Sequence, residues 1–191
     1  MVEAAYDLMS ARGYPQTTMA QIAAKAGVAV QTVYFTFHNK PGLLRAAFEF
    51  AVHGDHMPVT PPDRPWFRAM EQEPDLERAL TMVVEANLAI LRRVTPLTAV
   101  FRVLRDDAEI SAFQRLSERL RQEGYRRMVD VLARKGGLRA GLGAEDATTI
   151  LLVLLGPDLY RTIVIEYGWS EEKWQSWILQ TIAEALFGSQ P

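Results

Sequence analysis

Residues 18–40, TMAQIAAKAGVAVQTVYFTFHNK, constrain this chain more than any other stretch. Two short helical patterns flank a tight turn at Ala26, Gly27 and Val28. Ile22, Ala23 and Ala26 give the first pattern one apolar side. Thr18, with Gln21 three residues later, has the capping-box form that starts a helix. Gly27 stands where the chain must turn left-handed to end that helix. The second pattern covers about residues 30–35, with Val30, Val33 and Phe37 as the inward positions. A short helix, a glycine turn and a second short helix make the helix-turn-helix layout, whose second helix can enter a DNA major groove.

In these residues the chain resembles the TetR family of transcriptional regulators. The matching positions are Thr18, Met19, Ile22, Ala23, Ala26, Gly27 and Val28, then Thr32, Val33, Tyr34, Phe37, Lys40, Leu43 and Leu44, all in register without a gap. The resemblance implies an all-α protein in which a three-helix DNA-binding head (residues 1–52, with its linking helix) precedes a helical effector-binding and dimerisation body (residues 53–191). It also implies a further basic arm upstream of the first helix. The start at the first helix suggests a truncated chain, a misassigned start or a real loss of that arm, and without it the phosphate contacts the family often makes there are expected to be missing.

Two departures from the family pattern bear on affinity. Ala29 stands where a capping serine is usual, giving up about 1 kcal/mol. Gly42 replaces a common acidic residue, which is expected to weaken the first turn of the next helix.

The 191 residues are 49% apolar with mixed charge, a composition that folds and stays in solution. There is no cysteine, which excludes disulfides and thiolate metal sites. The N-terminus has neither the basic head nor the continuous apolar core of a signal peptide. Pro157, Asp158 and Arg161 interrupt the apolar run of residues 150–155 before it reaches membrane-spanning length. A cytoplasmic protein without a membrane partner is the expectation. Net charge is −2, yet residues 1–52 carry four basic side chains against three acidic ones, leaving 17 against 20 for the remainder. So mild an asymmetry would not by itself suggest nucleic acid.

Along the chain, residues 1–12 read as a helix ended by Gly13 and Pro15. Asn39 caps a fourth helix, with Pro41 in its tolerant first turn. Residues 53–64, with three prolines and a glycine, read as a boundary or loop. Beyond Trp66 there is no strand alternation, and helical patterns cover about residues 75–93, 96–104, 110–134, 144–167 and 170–186.

Site-specific binding needs groups that anchor phosphates and groups that read bases. The resemblance points to Thr18, Tyr34 and Lys40 as anchors. Among the exposed positions of the second helix, Ala29, Val30 and Gln31 are the readers, and Phe35 is left open. Gln31 can pair with adenine, while Thr32 can meet a thymine methyl or a phosphate. In the body, the resemblance implies a small-molecule effector. Its candidate lining is Trp66, Phe67, Met70, Met82, Asn87, Phe101, Tyr125, Asp158, Tyr160 and Arg161. The last two helices look too apolar for a monomer, and Leu151, Leu155, Trp174, Trp177, Ile178 and Ile182 are the expected dimer contacts. A two-fold dimer matches a palindromic operator on double-stranded DNA.

Enzymatic readings find little support. His38, His53 and His56 lack a partner acid and nucleophile, and there is no phosphate-binding loop or nucleophile elbow. His53, Asp55 and His56 have too few companions for a metal site, and no cofactor is called for. The sequence thus predicts a TetR-like regulator, a repressor by the family's pattern, released from its operator by a small and largely apolar ligand. The alternative is an all-helical ligand-binding or protein-interaction module whose DNA binding is weak or lost.

Overall fold

A computed structural model describes residues 1–54, 63–104 and 106–188, and among these every regular element is helical. In chain order they are α1 (Val2–Arg12), α2 (Met19–Ala26), α3 (Val30–Phe37), α4 (Lys40–His53), α5 (Pro65–Gln72), α6 (Leu76–Val103), α7 (Ala108–Gly136), α8 (Ala144–Leu154), α9 (Pro157–Tyr160), a π-helical segment (Arg161–Glu166) and α10 (Glu171–Phe187). By compactness the chain divides into two units: Met1–Pro58 with Arg92–Leu116, and Val59–Leu91 with Ser117–Pro191. The long helices α6 and α7 therefore each contribute to both. Most of the expected loop at residues 53–64 lies outside the described residues.

In the first unit, α1 packs on α4 and α2, and α3 packs on α2 and α4. Met9, Ile22, Val33, Leu43, Leu44 and Ala47 fill the space between them. Local signals set these boundaries. The Thr18 hydroxyl accepts from the Gln21 N–H (3.2 Å), and the Gln21 side chain accepts from the Thr18 N–H (2.9 Å), so the capping box is complete. Gly27 takes φ 69°, ψ 30°, closing α2 with bonds to the Ala23 and Ala24 carbonyls. Asn39 caps α4 through Gly42 N–H. A Cβ on Gly42 would stand 2.6 Å from the Phe37 carbonyl oxygen. A side chain there would press on the Phe37 carbonyl, so glycine suits the close α3–α4 corner.

Residues 75–93 and 96–104, expected as two helices, form one. Pro96 lies inside α6, where a proline costs about 3 kcal/mol. Against that, Val94, Leu97, Val100 and Phe101 are buried, each worth about 1.5–3 kcal/mol. Burial wins, and the helix continues. The reverse holds at residues 144–167, expected as one helix. Here α8 ends at Leu154 and the chain restarts from Gly156 and Pro157, then widens into six π-helical residues before Ser170 caps α10. Pro157 has no N–H to continue α8, and a π segment often marks a place where function bends a helix.

The second unit has its own core, in which Phe67, Met70, Leu80, Val83, Val84, Val129, Leu132, Leu151, Trp174, Ile178 and Ile182 are buried. Residues 144–166 reach a mean hydropathy of 1.5 over their most apolar window, enough by length and composition to cross a membrane, yet only 28% of that window is buried. The exposed part includes Val153 (62%) and Ile165 (60%), with Tyr167 (77%) just beyond.

Candidate functional site

In the first unit, α3 is an eight-residue helix without a single charged side chain, VQTVYFTF. Only Val33 is fully buried; Val30 and Phe37 are half-buried and face the same way. Gln31, Thr32, Tyr34, Phe35 and Thr36 are exposed. At 100° per residue, Gln31, Thr32 and Phe35 share the side opposite Val33, and that outward side is what a helix-turn-helix offers to a groove. Ala29 is the N-cap, and no side chain caps α3 there. His38 ends the helix at φ 60°.

The expected anchors surround this helix. Thr18 lies at the N-terminus of α2, where the remaining N–H groups and the helix dipole favour an anion. Tyr34 is 50% exposed. Lys40 opens α4, and its Nζ lies 4.1 Å from the centroid of the Tyr14 ring. Partial burial holds the Lys40 ammonium below its usual range. Tyr14 is raised above its own, first by burial and then by Asp107 and Glu109. Glu109 also accepts a hydrogen bond from the Asn39 side chain (3.2 Å). The neighbourhood of Lys40 is therefore aromatic and partly acidic, which the sequence could not indicate because 70 residues separate Asn39 from Glu109. Lys25 pairs with Asp7 at 3.1 Å across an exposed surface.

Arg93 of α6 also escapes sequence reasoning. Its guanidinium donates to the Ala51 carbonyl (2.7 Å) and reaches the Val52 carbonyl (3.4 Å), satisfying the end of α4, and its own carbonyl accepts from the Tyr6 hydroxyl (3.1 Å). α6 is in this way fastened to both α1 and α4. Nothing local in the sequence marks an arginine as the cap of a helix 40 residues away.

Of the expected effector residues, the structure brings Asn87 and Tyr125 together. The Tyr125 hydroxyl donates to Asn87 Oδ1 at 2.6 Å and lies 3.3 Å from the Leu155 carbonyl, at the point where α8 breaks. Asn87 in turn donates to the Val83 carbonyl (2.8 Å). Burial pushes the Tyr125 phenol up to about 12, against a smaller opposing effect of Arg121. Phe67 is fully buried, with Trp66 edge-on and the Arg127 guanidinium over its ring. Met82 is half-buried against the same core, in which Met70 and Tyr160 are buried.

The remaining expected effector residues lie elsewhere. Phe101 packs edge-on against Phe48 at 4.9 Å and also meets Phe113, in the first unit rather than beside Tyr125. Asp158 is exposed, and Arg161 pairs with Glu166 across the π segment. An open groove of about 660 Å³ lies between α7 and α8, lined by Gln122, Arg126, Asp130, Glu145 and neighbours. None of the expected effector residues lines it.

The expected dimer contacts are mostly interior in the single chain. Leu151, Leu155, Trp174, Ile178 and Ile182 are buried in the core of their own unit, and only Trp177 is partly exposed. An apolar helix must first cover its own protein's interior, and these side chains do so. Their neighbours Val153 and Ile165 are the ones that face away. Among the described residues no cluster of His, Cys, Asp or Glu could hold a metal; Asp55 and His56 lie outside them.

Residues 1–47 match the family described as bacterial regulatory proteins, tetR family. No curated protein sequence matches the chain. Solved structures do resemble it. FadR of Bacillus subtilis, in complex with stearoyl-CoA, aligns over 96% of each chain with a TM-score of 0.73 at 16% identity. A Saccharomonospora viridis protein in complex with choline aligns over 97% of this chain and 94% of its own, with a TM-score of 0.72 at 18% identity. A TetR transcription regulator from Haloarcula marismortui covers 96% of this chain and 93% of its own, with a TM-score of 0.68 at 16% identity. At these identities the structures speak for the shared helical fold, while the sequence match falls on the helices that carry the capping box, the exposed face of α3 and Lys40. The family match thus covers the N-terminal helices, and the likeness in fold extends over the rest of the chain.

Proposed function

We propose that this chain is a TetR-family transcriptional regulator, a cytoplasmic homodimeric repressor released from a palindromic operator when a small, largely apolar ligand enters its helical body. The exposed, uncharged outward side of α3, bordered by Thr18, Tyr34 and Lys40, carries the DNA-binding part of this reading. Residues 1–52 supply the reading head and residues 53–191 the effector and dimer functions. Ala29, Gln31 and Thr32 lie against the bases, with half-buried Val30 behind them at the start of α3, and Thr18, Tyr34 and Lys40 lie against phosphates.

For the ligand, the Asn87–Tyr125 hydrogen bond joins two of the expected lining residues, and Phe67 belongs to the same core, with Trp66 and Met82 packed against that core. Ligands in such sites are held by apolar contact and oriented by a few polar groups. Two proteins of like fold bind stearoyl-CoA and choline respectively, which supports a ligand-binding body and leaves its chemistry open. α6 contributes Asn87 to one unit and Arg93 to the other. A ligand that moves α6 therefore acts on the residue that caps α4. The ligand shifts a population, so DNA must weaken the ligand as much as the ligand weakens DNA. Dimerisation uses the outward sides of residues 144–167 and of α10, where Val153, Ile165, Tyr167 and Trp177 would otherwise stand in water.

A second reading is a helical ligand-binding or interaction module with lost DNA binding. The acidic surroundings of Tyr14 and the seat of Lys40 on its ring favour it. Binding of the purified protein to its own upstream promoter DNA, over a salt series, decides between them. Saturable binding to one palindrome that weakens steeply with salt, and is lost in Lys40→Ala with Tyr34→Ala while folding persists, supports the repressor. Equal weak binding to unrelated DNA supports the module.

A further inference from the structure

We infer that α3 reads its operator through thymine methyl groups, with Phe35 as the principal reader and Gln31 as its partner on the neighbouring adenine. The inference rests on the DNA-binding reading above and names the sequence chemistry of the same site. Phe35 is 85% exposed, the highest exposure of any large apolar side chain among the described residues. It lies in the last turn of α3, two residues before the helix ends, on the side opposite buried Val33. An isolated surface phenylalanine is ordinary. One on the outward face that a helix-turn-helix lays in the major groove has a specific occupant available.

The rest of that face decides which base pairs fit. The commonest specific contact in the major groove is an arginine or lysine on guanine O6 and N7. From Val30 to Phe37 there is no arginine, lysine, aspartate or glutamate. Guanine thus has no cationic reader on α3, and cytosine N4 has no carboxylate acceptor. What α3 does expose is a glutamine, threonines and two aromatic rings. Gln31 and Phe35 are four residues apart, hence neighbours on one side of the helix. A glutamine amide can bond adenine N6 and N7, and an apolar side chain packs on the thymine C5 methyl. Both select A·T pairs, and their adjacency suits consecutive A·T pairs. The groove also gives Phe35 an apolar surface that water does not.

The nearby cations fit a different task. Lys40 begins α4 against Tyr14, and Lys25 pairs with Asp7. Neither projects from α3, so they serve the backbone, which carries no sequence information.

The test begins with selection of bound sequences from a random double-stranded DNA pool by the purified full chain. The expected consensus has half-sites whose central positions are A·T. Thymines in the selected site are then replaced one at a time by uracil, which removes only the C5 methyl. At one or two positions per half-site, binding is expected to weaken about three- to five-fold for each methyl lost, the worth of about one buried methylene. In Phe35→Ala the same uracil replacements should have no effect, while Lys40→Ala should keep full sensitivity to them. Because Phe35 is exposed, Phe35→Ala should melt like the parent protein. A G·C-centred consensus, or a consensus that tolerates uracil everywhere in the parent protein, overturns the inference and leaves DNA binding standing. A pool that yields no enriched sequence overturns the DNA-binding reading, and this inference with it.

Discussion

The Tyr125→Phe variant tests the buried polar node of the second unit. Removing the hydroxyl takes the hydrogen from a 2.6 Å bond and leaves Asn87 Oδ1 without its donor in a core where Asn87 is buried. The Leu155 carbonyl loses its longer contact at 3.3 Å as well. A buried acceptor left unsatisfied costs about 1–3 kcal/mol, so a loss of about 2 kcal/mol is expected. For a chain of 191 residues, that corresponds to a Tm lower by about 4–8 °C. Removing both partners, in Asn87→Leu with Tyr125→Phe, should recover most of the loss, because two apolar groups leave nothing unsatisfied. Urea denaturation of the four proteins of this double-mutant cycle measures the coupling. Alkaline titration gives an independent readout. The phenol is raised from 10.0 to about 12 in the folded chain, so its contribution is fully present below pH 10. It is then lost as the unfolded chain ionises first, over pH 10 to about 12, by about 3 kcal/mol. Tyr125→Phe should lack that part of the alkaline loss. A single variant costing under about 0.5 kcal/mol, or a double variant as unstable as the two single losses combined, would refute the reasoning.

Other outcomes follow from the same geometry. Lys40→Ala should reduce the slope of log affinity against log salt by about 1 for each Lys40 contact, measured by fluorescence anisotropy on the operator, without changing the preferred sequence. Gly42→Ala should lower stability by about 1–3 kcal/mol, because its Cβ would press on the Phe37 carbonyl from 2.6 Å; an unchanged or raised Tm would show that the corner relaxes freely. Val153→Arg places a charge on an exposed part of α8, so folding should persist. Sedimentation should show dimer affinity lower by about a hundredfold, the consequence of burying an unpaired charge; an unaffected dimer would move the interface elsewhere.

How much of this was legible in sequence depends on how far each signal has to reach. Thr18 with Gln21, Gly27, Asn39 and Ser170 mark helix ends through bonds to residues at most four positions away. Such contacts are written into neighbouring letters, and the head could be read from them almost residue by residue. The same locality let Val33 be placed inward and Gln31 outward. Reading failed where local preference met a larger burial term. Pro96 signals a break that the buried side chains of α6 override, whereas Pro157 signals one that stands, with Tyr125 meeting the freed Leu155 carbonyl. No inspection of either proline's neighbours separates the two cases.

The amino-acid sequence by itself determined the helix-turn-helix, its caps, its uncharged α3 and the absence of strands from the pattern. Tertiary structure decided which side of each apolar helix is spent on the chain's own core. Leu151, Trp174, Ile178 and Ile182 turn inward while Val153 and Ile165 remain outside, and periodicity cannot distinguish the sides of a helix that is apolar all round. It decided, too, that Phe101 joins Phe48 and Phe113 while Asn87 meets Tyr125. The same holds for Arg93, which closes α4 from some 40 residues away. Pairings at that separation depend on the positions of whole helices, and those positions follow from the packing of all the buried side chains together.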